Sequence, residues 1–177
     1  VFTADHGDMM GSQGLMAKNV IFEESVGVPF LIRWPGHVKK GEDDLLISSP
    51  DIMPTLLGLM GLKNAIPADV QGHDYAQLLK GKETVPRPEG AVYYRIGWGD
   101  RGTGLRGYIT HHYSFMMETS KKGVEDVQLY DDKNDPYQMH NIADEKPEIV
   151  REMRKKMDAE LAAVNDPWVT TSGKAAG

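Results

Sequence analysis

VFTADHGDMMGSQGLMAKNVIFEESVGVPFLIRWPG, Val1 to Gly36, decides how the rest of this chain is read. Two apolar runs bound it: Val1 to Ala4, and one within Val26 to Gly36, where Pro29 and Pro35 bracket Phe30, Leu31 and Ile32. Both are short, rich in β-branched and aromatic residues and nearly free of polar residues, the pattern of strands buried on both faces, so Val1 to Ala4 is expected to be the end of a buried parallel strand. The residues between the runs suffice for the crossover that parallel strands need. The first run stops on Asp5, His6 and Gly7, and a glycine-rich stretch, Gly11 to Gly14, leads to Lys18. Strand ends in α/β sheets are where ligand-binding residues collect. Two readings stand for the Asp-His pair. It is a strand-end carboxylate capping a turn beside a partly exposed imidazole, or it is two ligands of a divalent cation. Lys18 is likewise a solvated surface charge or an anion contact.

Punctuation organises the next stretch. SSPDIMPTLLGLMG predicts a helix: Ser49 as cap, Pro50 at the first helical position, Asp51 at the positive end and Gly61 as terminator. Leu56, Leu57, Leu59 and Met60 are its expected buried face, and Pro54 is expected within the first turn. Residues 64–90 hold more proline, glycine and charge, with one short helix in DYAQLLKG. Four runs then follow, AVYYRI, LRGYIT, YSFMM and VQLYD, which predict an antiparallel sheet of about four strands, with His111 and His112 at the tight connection between the second and third. From Pro147, Val150, Met153, Met157, Leu161 and Val164 recur at helical spacing. The expected fold is α/β, with segments 1–63 (α/β part), 64–90 (connection), 91–168 (small antiparallel sheet packed with the C-terminal helix) and a loose tail, 169–177.

Composition excludes several functions. The 177 residues carry a formal net charge of −6, which argues against a general nucleic-acid binder, and they include no cysteine, which removes disulfides, thiolate metal sites and a cysteine nucleophile. No run of about 18 apolar residues predicts a membrane span, and the first residues lack the pattern of a signal peptide. No Gly-x-Ser-x-Gly elbow, phosphate loop or dinucleotide fingerprint occurs. Asp5 and His6 cannot close a catalytic metal site, which needs a third protein ligand and an open position. YDDKND, Tyr130 to Asp135, lacks the glycine and terminal glutamate of a calcium loop and is read as a turn.

Taken in order, FTADHGDMMGSQGLMAKNVIFEESVGVPFLIRWPG, SSPDIMPTLLGLMGL, QGHDYAQLLKG and LYDDKNDPYQMHNIA resemble the sulfatases of the alkaline phosphatase superfamily from Phe2 to about Val164. The resemblance implies the C-terminal part of an alkaline-phosphatase-like sandwich and hydrolysis of a sulfate ester, of a sulfated carbohydrate or aryl sulfate, with a calcium ion. It implies that Asp5 and His6 are calcium ligands, His6 standing where many members have Asn, and that Lys18 contacts sulfate. It also implies a formylglycine nucleophile in a Cys/Ser-x-Pro-x-Arg motif, which these residues do not contain. The chain is therefore expected to be a fragment, inactive alone, whose partners are the N-terminal portion of the same enzyme and a sulfated small molecule or glycan. By the same resemblance the location is periplasmic or secreted. Gln13 stands where many members have His. Two alternatives remain: a phosphodiesterase or phosphonate hydrolase of the same superfamily, and a non-catalytic carbohydrate-binding module using Tyr93, Tyr94 and Trp98 as stacking surfaces.

Overall fold

The computed structural model describes residues 1–97 and 99–168. In chain order the elements are β1 (Phe2–Thr3), a 3₁₀ turn at Ser12–Gly14, α1 (Glu23–Val26), β2 (Phe30–Leu31), α2 (Ser49–Leu59), a second 3₁₀ turn at Lys63–Ala65, α3 (Ala76–Leu79), β3 (Ala91–Gly97), β4 (Asp100–Ile109), β5 (Tyr113–Ser120), β6 (Gly123–Asp131) and α4 (Pro147–Ala163). They divide into two compact units, one of residues 1–5 and 28–91, the other of residues 6–27 and 92–177. The expected loose tail, 169–177, lies outside the described residues.

In the first unit, the two apolar runs pair, but antiparallel: Phe2 opposite Leu31 and Thr3 opposite Phe30. This corrects the parallel reading. An apolar run reports burial and not direction, which the ladder hydrogen bonds set. Nor is the pair buried on both faces in this structure, where Phe2 is 63% and Leu31 61% exposed.

Helix α2 forms where its punctuation placed it, with the cap one residue earlier. Ser48 is the cap: its backbone N–H and its hydroxyl both donate to Asp51 Oδ2, each at 2.8 Å. Asp51 reaches back three residues, so the reciprocal capping box selects Ser48 over Ser49. Gly61, at φ 76°, ends the helix as expected. Its N–H donates to Gly58 O and the N–H of Leu62 to Leu57 O, the paired bonds of a left-handed helix terminus.

Asp51, Pro54, Thr55, Gly58 and Leu59 face inward, whereas Met60 is exposed. Thr55 is fully buried and bonds both His73 O and the N–H of Tyr75, which fixes the segment before α3. Pro54 sits inside the helix rather than in its first turn, so Pro50 O loses its helical partner. Gly72 closes on that carbonyl, and a Cβ there would lie 1.9 Å from the oxygen.

In the second unit, β3–β4–β5–β6 form an antiparallel sheet in sequence order, the four runs expected. Side chains of a strand alternate between faces, and here both faces are covered. Tyr108, Phe115, Met117 and Leu129 pack with Met153, Met157 and Leu161 of α4 and with Trp168. On the other face, Leu105, Met116 and Tyr130 pack with Met9, Ile21 and Phe22 of the 6–27 segment. Double coverage explains why SFMM runs apolar without a polar alternate. Gly107 belongs to the fit, because a Cβ there would meet Ile21 Cδ1 at 2.6 Å.

Candidate functional site

The 6–27 segment is the sheet's second cover and carries two of the three expected site residues. Its apolar anchors are Met9, Ile21 and Phe22, and the Phe22 and Tyr130 rings sit 5.5 Å apart. Between the anchors the chain is closed by backbone bonds from Met9 N–H to Ala17 O (2.7 Å) and Gly11 N–H to Leu15 O (2.9 Å). Met10, Gln13, Ala17 and Asn19 all have φ between 49° and 75°, the left-handed region that a side chain disfavours. Such residues cost on the order of 1–3 kcal/mol each and persist where surrounding contacts over-determine them, commonly at functional loops. Ala17 and Asn19 flank Lys18.

That backbone brings Lys18 onto His6. Lys18 Nζ donates to His6 Nε2 at 2.5 Å, and His6 Nδ1–H donates to Gly7 O at 2.6 Å. The two bonds assign the tautomer: the proton is on Nδ1, and the lone pair is on Nε2. Gly7 holds the position of His6 through its own N–H, which donates to Ser25 O at 2.9 Å. Its α-carbon packs so closely on α1 that a Cβ would sit 2.0 Å from Glu24 O. Gly7→Ala should therefore lower stability by about 1–3 kcal/mol, the usual cost of overpacking. Urea unfolding monitored by fluorescence measures this.

Asp5 is exposed and belongs to the first unit. Among the described residues no group of three or more His, Asp or Glu side chains is placed to hold a metal ion. Asp5 offers a carboxylate and His6 an imidazole lone pair, each a chemically admissible donor to a divalent cation. Through Nε2, His6 can serve Lys18 or a metal, but not both at once.

Gln13 is not placed as a substrate contact. Its amide donates to Tyr137 O (2.8 Å) and Gln138 O (3.1 Å) in the stretch after β6. Gln138 in turn accepts from the N–H of Glu23 (2.8 Å) and donates to Asp132 Oδ1 (2.8 Å), while Ser114 Oγ donates to Asp132 Oδ2 (2.7 Å). No local pattern announces this network; its only signal was that Tyr130 to Asp135 is unusually polar for a strand end.

Burial raises the pKa of Asp132 from its ordinary 3.8, the hydrogen bonds from Ser114 and Gln138 opposing it only in part. A carboxyl that holds its proton more tightly when folded adds stability at low pH, and that contribution is lost as pH rises through the folded value. Asp132→Asn should flatten this part of the pH dependence, on the alkaline side of the ordinary carboxyl value of 3.8. Urea midpoints at stepped pH, wild type against variant, test it.

His111 is exposed, and His112 stacks on Tyr113 at 4.0 Å and contacts Asp131 Oδ1 at 3.1 Å, the pairing of a hairpin turn. Tyr93 packs against the Met9 cluster, Tyr94 is 46% exposed, and Trp98 lies outside the described residues. No helix among the described residues is long and apolar enough to cross a membrane.

Comparison with known proteins places the chain in a family. Residues 11–166 match the family model of the C-terminal part of N-sulphoglucosamine sulphohydrolase. An endo-4-O-sulfatase of Bacteroides thetaiotaomicron is 40% identical over 96% of the chain and 36% of its own length. An ulvan-active sulfatase of Formosa agariphila is 34% identical over 95% of the chain and 33% of its own length. The chain thus spans about a third of these curated relatives. A solved structure from the locus with which Bacteroides thetaiotaomicron metabolises multiple glycosaminoglycans superposes with a TM-score of 0.89, at 39% identity, covering 96% of this chain and 38% of that one.

Proposed function

Because this chain belongs to the sulfatase family, in the C-terminal part of that architecture, we propose that it supplies one half of a sulfate-ester hydrolase site: Asp5 and His6 as ligands of a calcium ion, and Lys18 as the sulfate contact. The observation that carries this reading is the contact between Lys18 Nζ and His6 Nε2, held on a strained and doubly anchored loop. When bound, the divalent ion would supply Lewis-acid stabilisation to the sulfuryl oxygens. Lys18 adds a positive charge on a loop held in place at both ends, and once its ammonium passes from His6 Nε2 to the sulfuryl group it opposes the negative charge carried in transfer. The remaining ligands and the formylglycine nucleophile are assigned to residues outside these 177, so the chain alone should not turn over substrate.

The relatives' names favour a sulfated polysaccharide or its fragments as substrate; a periplasmic or secreted location belongs to the proposal through the family resemblance alone. A small aryl sulfate suffices as a first probe. The full-length protein carrying this segment should hydrolyse p-nitrophenyl sulfate, lose activity on chelation and regain it with calcium. Hydrolysis of bis-p-nitrophenyl phosphate alone, with no sulfatase activity at any calcium level, would overturn the reading in favour of a phosphodiesterase.

A further inference from the structure

Lys18 lies between two points at which its loop is tied to the segment after β6. On one side, Gln13 donates to the carbonyls of Tyr137 and Gln138. On the other, the N–H of Glu23 donates to Gln138 Oε1. Both ties converge on residue 138. Gln138 is only 3% exposed, holds a left-handed backbone at φ 53°, and is itself fixed by donating to Asp132, which Ser114 clamps from β5. A buried side chain that uses both its acceptor and its donor on two different elements has one orientation. The strain in its backbone marks a position that the surroundings hold against local preference.

We infer that Gln138 is a positioning residue for Lys18: it transmits the rigidity of the β5–β6 hairpin to the loop that presents the ammonium to sulfate. This rests on the sulfate role of Lys18 proposed above and adds the element that sets its place. The apolar anchors Met9, Ile21 and Phe22 hold the loop by burial, which is non-directional. The bonds through Gln13 and Gln138 add directional ties between the loop and the segment after β6.

The test uses the full-length enzyme with p-nitrophenyl sulfate as substrate and inorganic sulfate as competitive inhibitor. Gln138→Met keeps the side chain's length and removes both of its hydrogen bonds. It should raise KM and the sulfate inhibition constant together by about tenfold, inside the range that a small misplacement of a binding group produces. Gln13→Ala, which leaves residue 138 intact and cuts the other tie, should move both constants in the same direction by less. A merely structural role lowers kcat in proportion to the folded fraction and leaves KM and sulfate inhibition where they were. That result in both variants would overturn the inference. Lys18→Ala separates the two layers. If it leaves KM and sulfate inhibition unchanged, the role of Lys18 falls and this inference with it. If Lys18→Ala weakens both while Gln138→Met does not, the positioning role alone is wrong.

Discussion

Replacing Lys18 by Ala in the full-length enzyme should lower kcat/KM for an aryl sulfate by about 10²–10³-fold, the usual consequence of deleting one preorganised group that faces charge in the transition state. The fold should survive, because Lys18 is exposed and belongs to neither core cluster. The loss should therefore appear at an unchanged unfolding midpoint. Lys18→Arg should recover only part of the activity. A planar, delocalised guanidinium does not reproduce the compact point charge of an ammonium. Steady-state kinetics and thermal unfolding of the same preparations check both statements, and a Lys18→Ala enzyme with wild-type kinetics would contradict them.

The second large effect concerns stability. Arg106 is 1% exposed, on the α4 face of the sheet, and its guanidinium is held by Asp166 through Nε and Nη2, both at 3.1 Å. Its three remaining protons go to the carbonyls of Leu105 and Arg101, each at 3.0 Å, and of Arg95 at 3.4 Å. Trp168, fully buried, lies 6.0 Å from the guanidinium carbon and donates from Nε1 to Gly104 O at 3.1 Å. Asp166 also accepts from the N–H of Trp168 at 2.8 Å, so one carboxylate both neutralises the buried cation and ties the segment after α4 to the sheet. Removing one partner of a buried pair leaves the other charge unpaired, at a cost of roughly 3–5 kcal/mol. Asp166→Ala should accordingly lower the unfolding midpoint by on the order of 10 °C. Asp166→Asn keeps an acceptor for both neighbours and should lose less. Calorimetry on the chain measures both, and a midpoint within a degree of wild type for Asp166→Ala would mean that water already compensates Arg106.

How much of this was legible in the sequence depended on how local the cause was. The helix from Ser49 to Leu59 could be read because Ser, Pro, Asp and Gly act on their own neighbours, and the cap moved by one residue only because Asp51 chooses its partner three positions back. The four strands and α4 were readable from period two and period 3.6, since Met153, Met157 and Leu161 must share a face whatever they pack on. The direction of β1 was not readable. Two apolar runs carry no information about which way their backbones pair, and Phe2 with Leu31 pairs antiparallel. Nor was the docking of residues 6–27 on the sheet, because Gln13 and Gln138 are 125 residues apart in the chain. Only the doubly apolar SFMM run hinted that a second layer was needed. For the site, the resemblance named Asp5, His6 and Lys18, and the structure brings Lys18 to His6. What the sequence hid was the left-handed backbone on either side of Lys18, at residue types that do not advertise it.

A crystal structure of the full-length protein grown with calcium and inorganic sulfate tests the metal and anion roles together, with anomalous scattering to locate the ion. The proposed site places calcium within about 2.3–2.6 Å of an Asp5 oxygen, with His6 in the same shell and Lys18 Nζ moved from His6 Nε2 to a sulfate oxygen. An ion bound without Asp5 and His6, or Lys18 still on His6 with sulfate elsewhere, would contradict it.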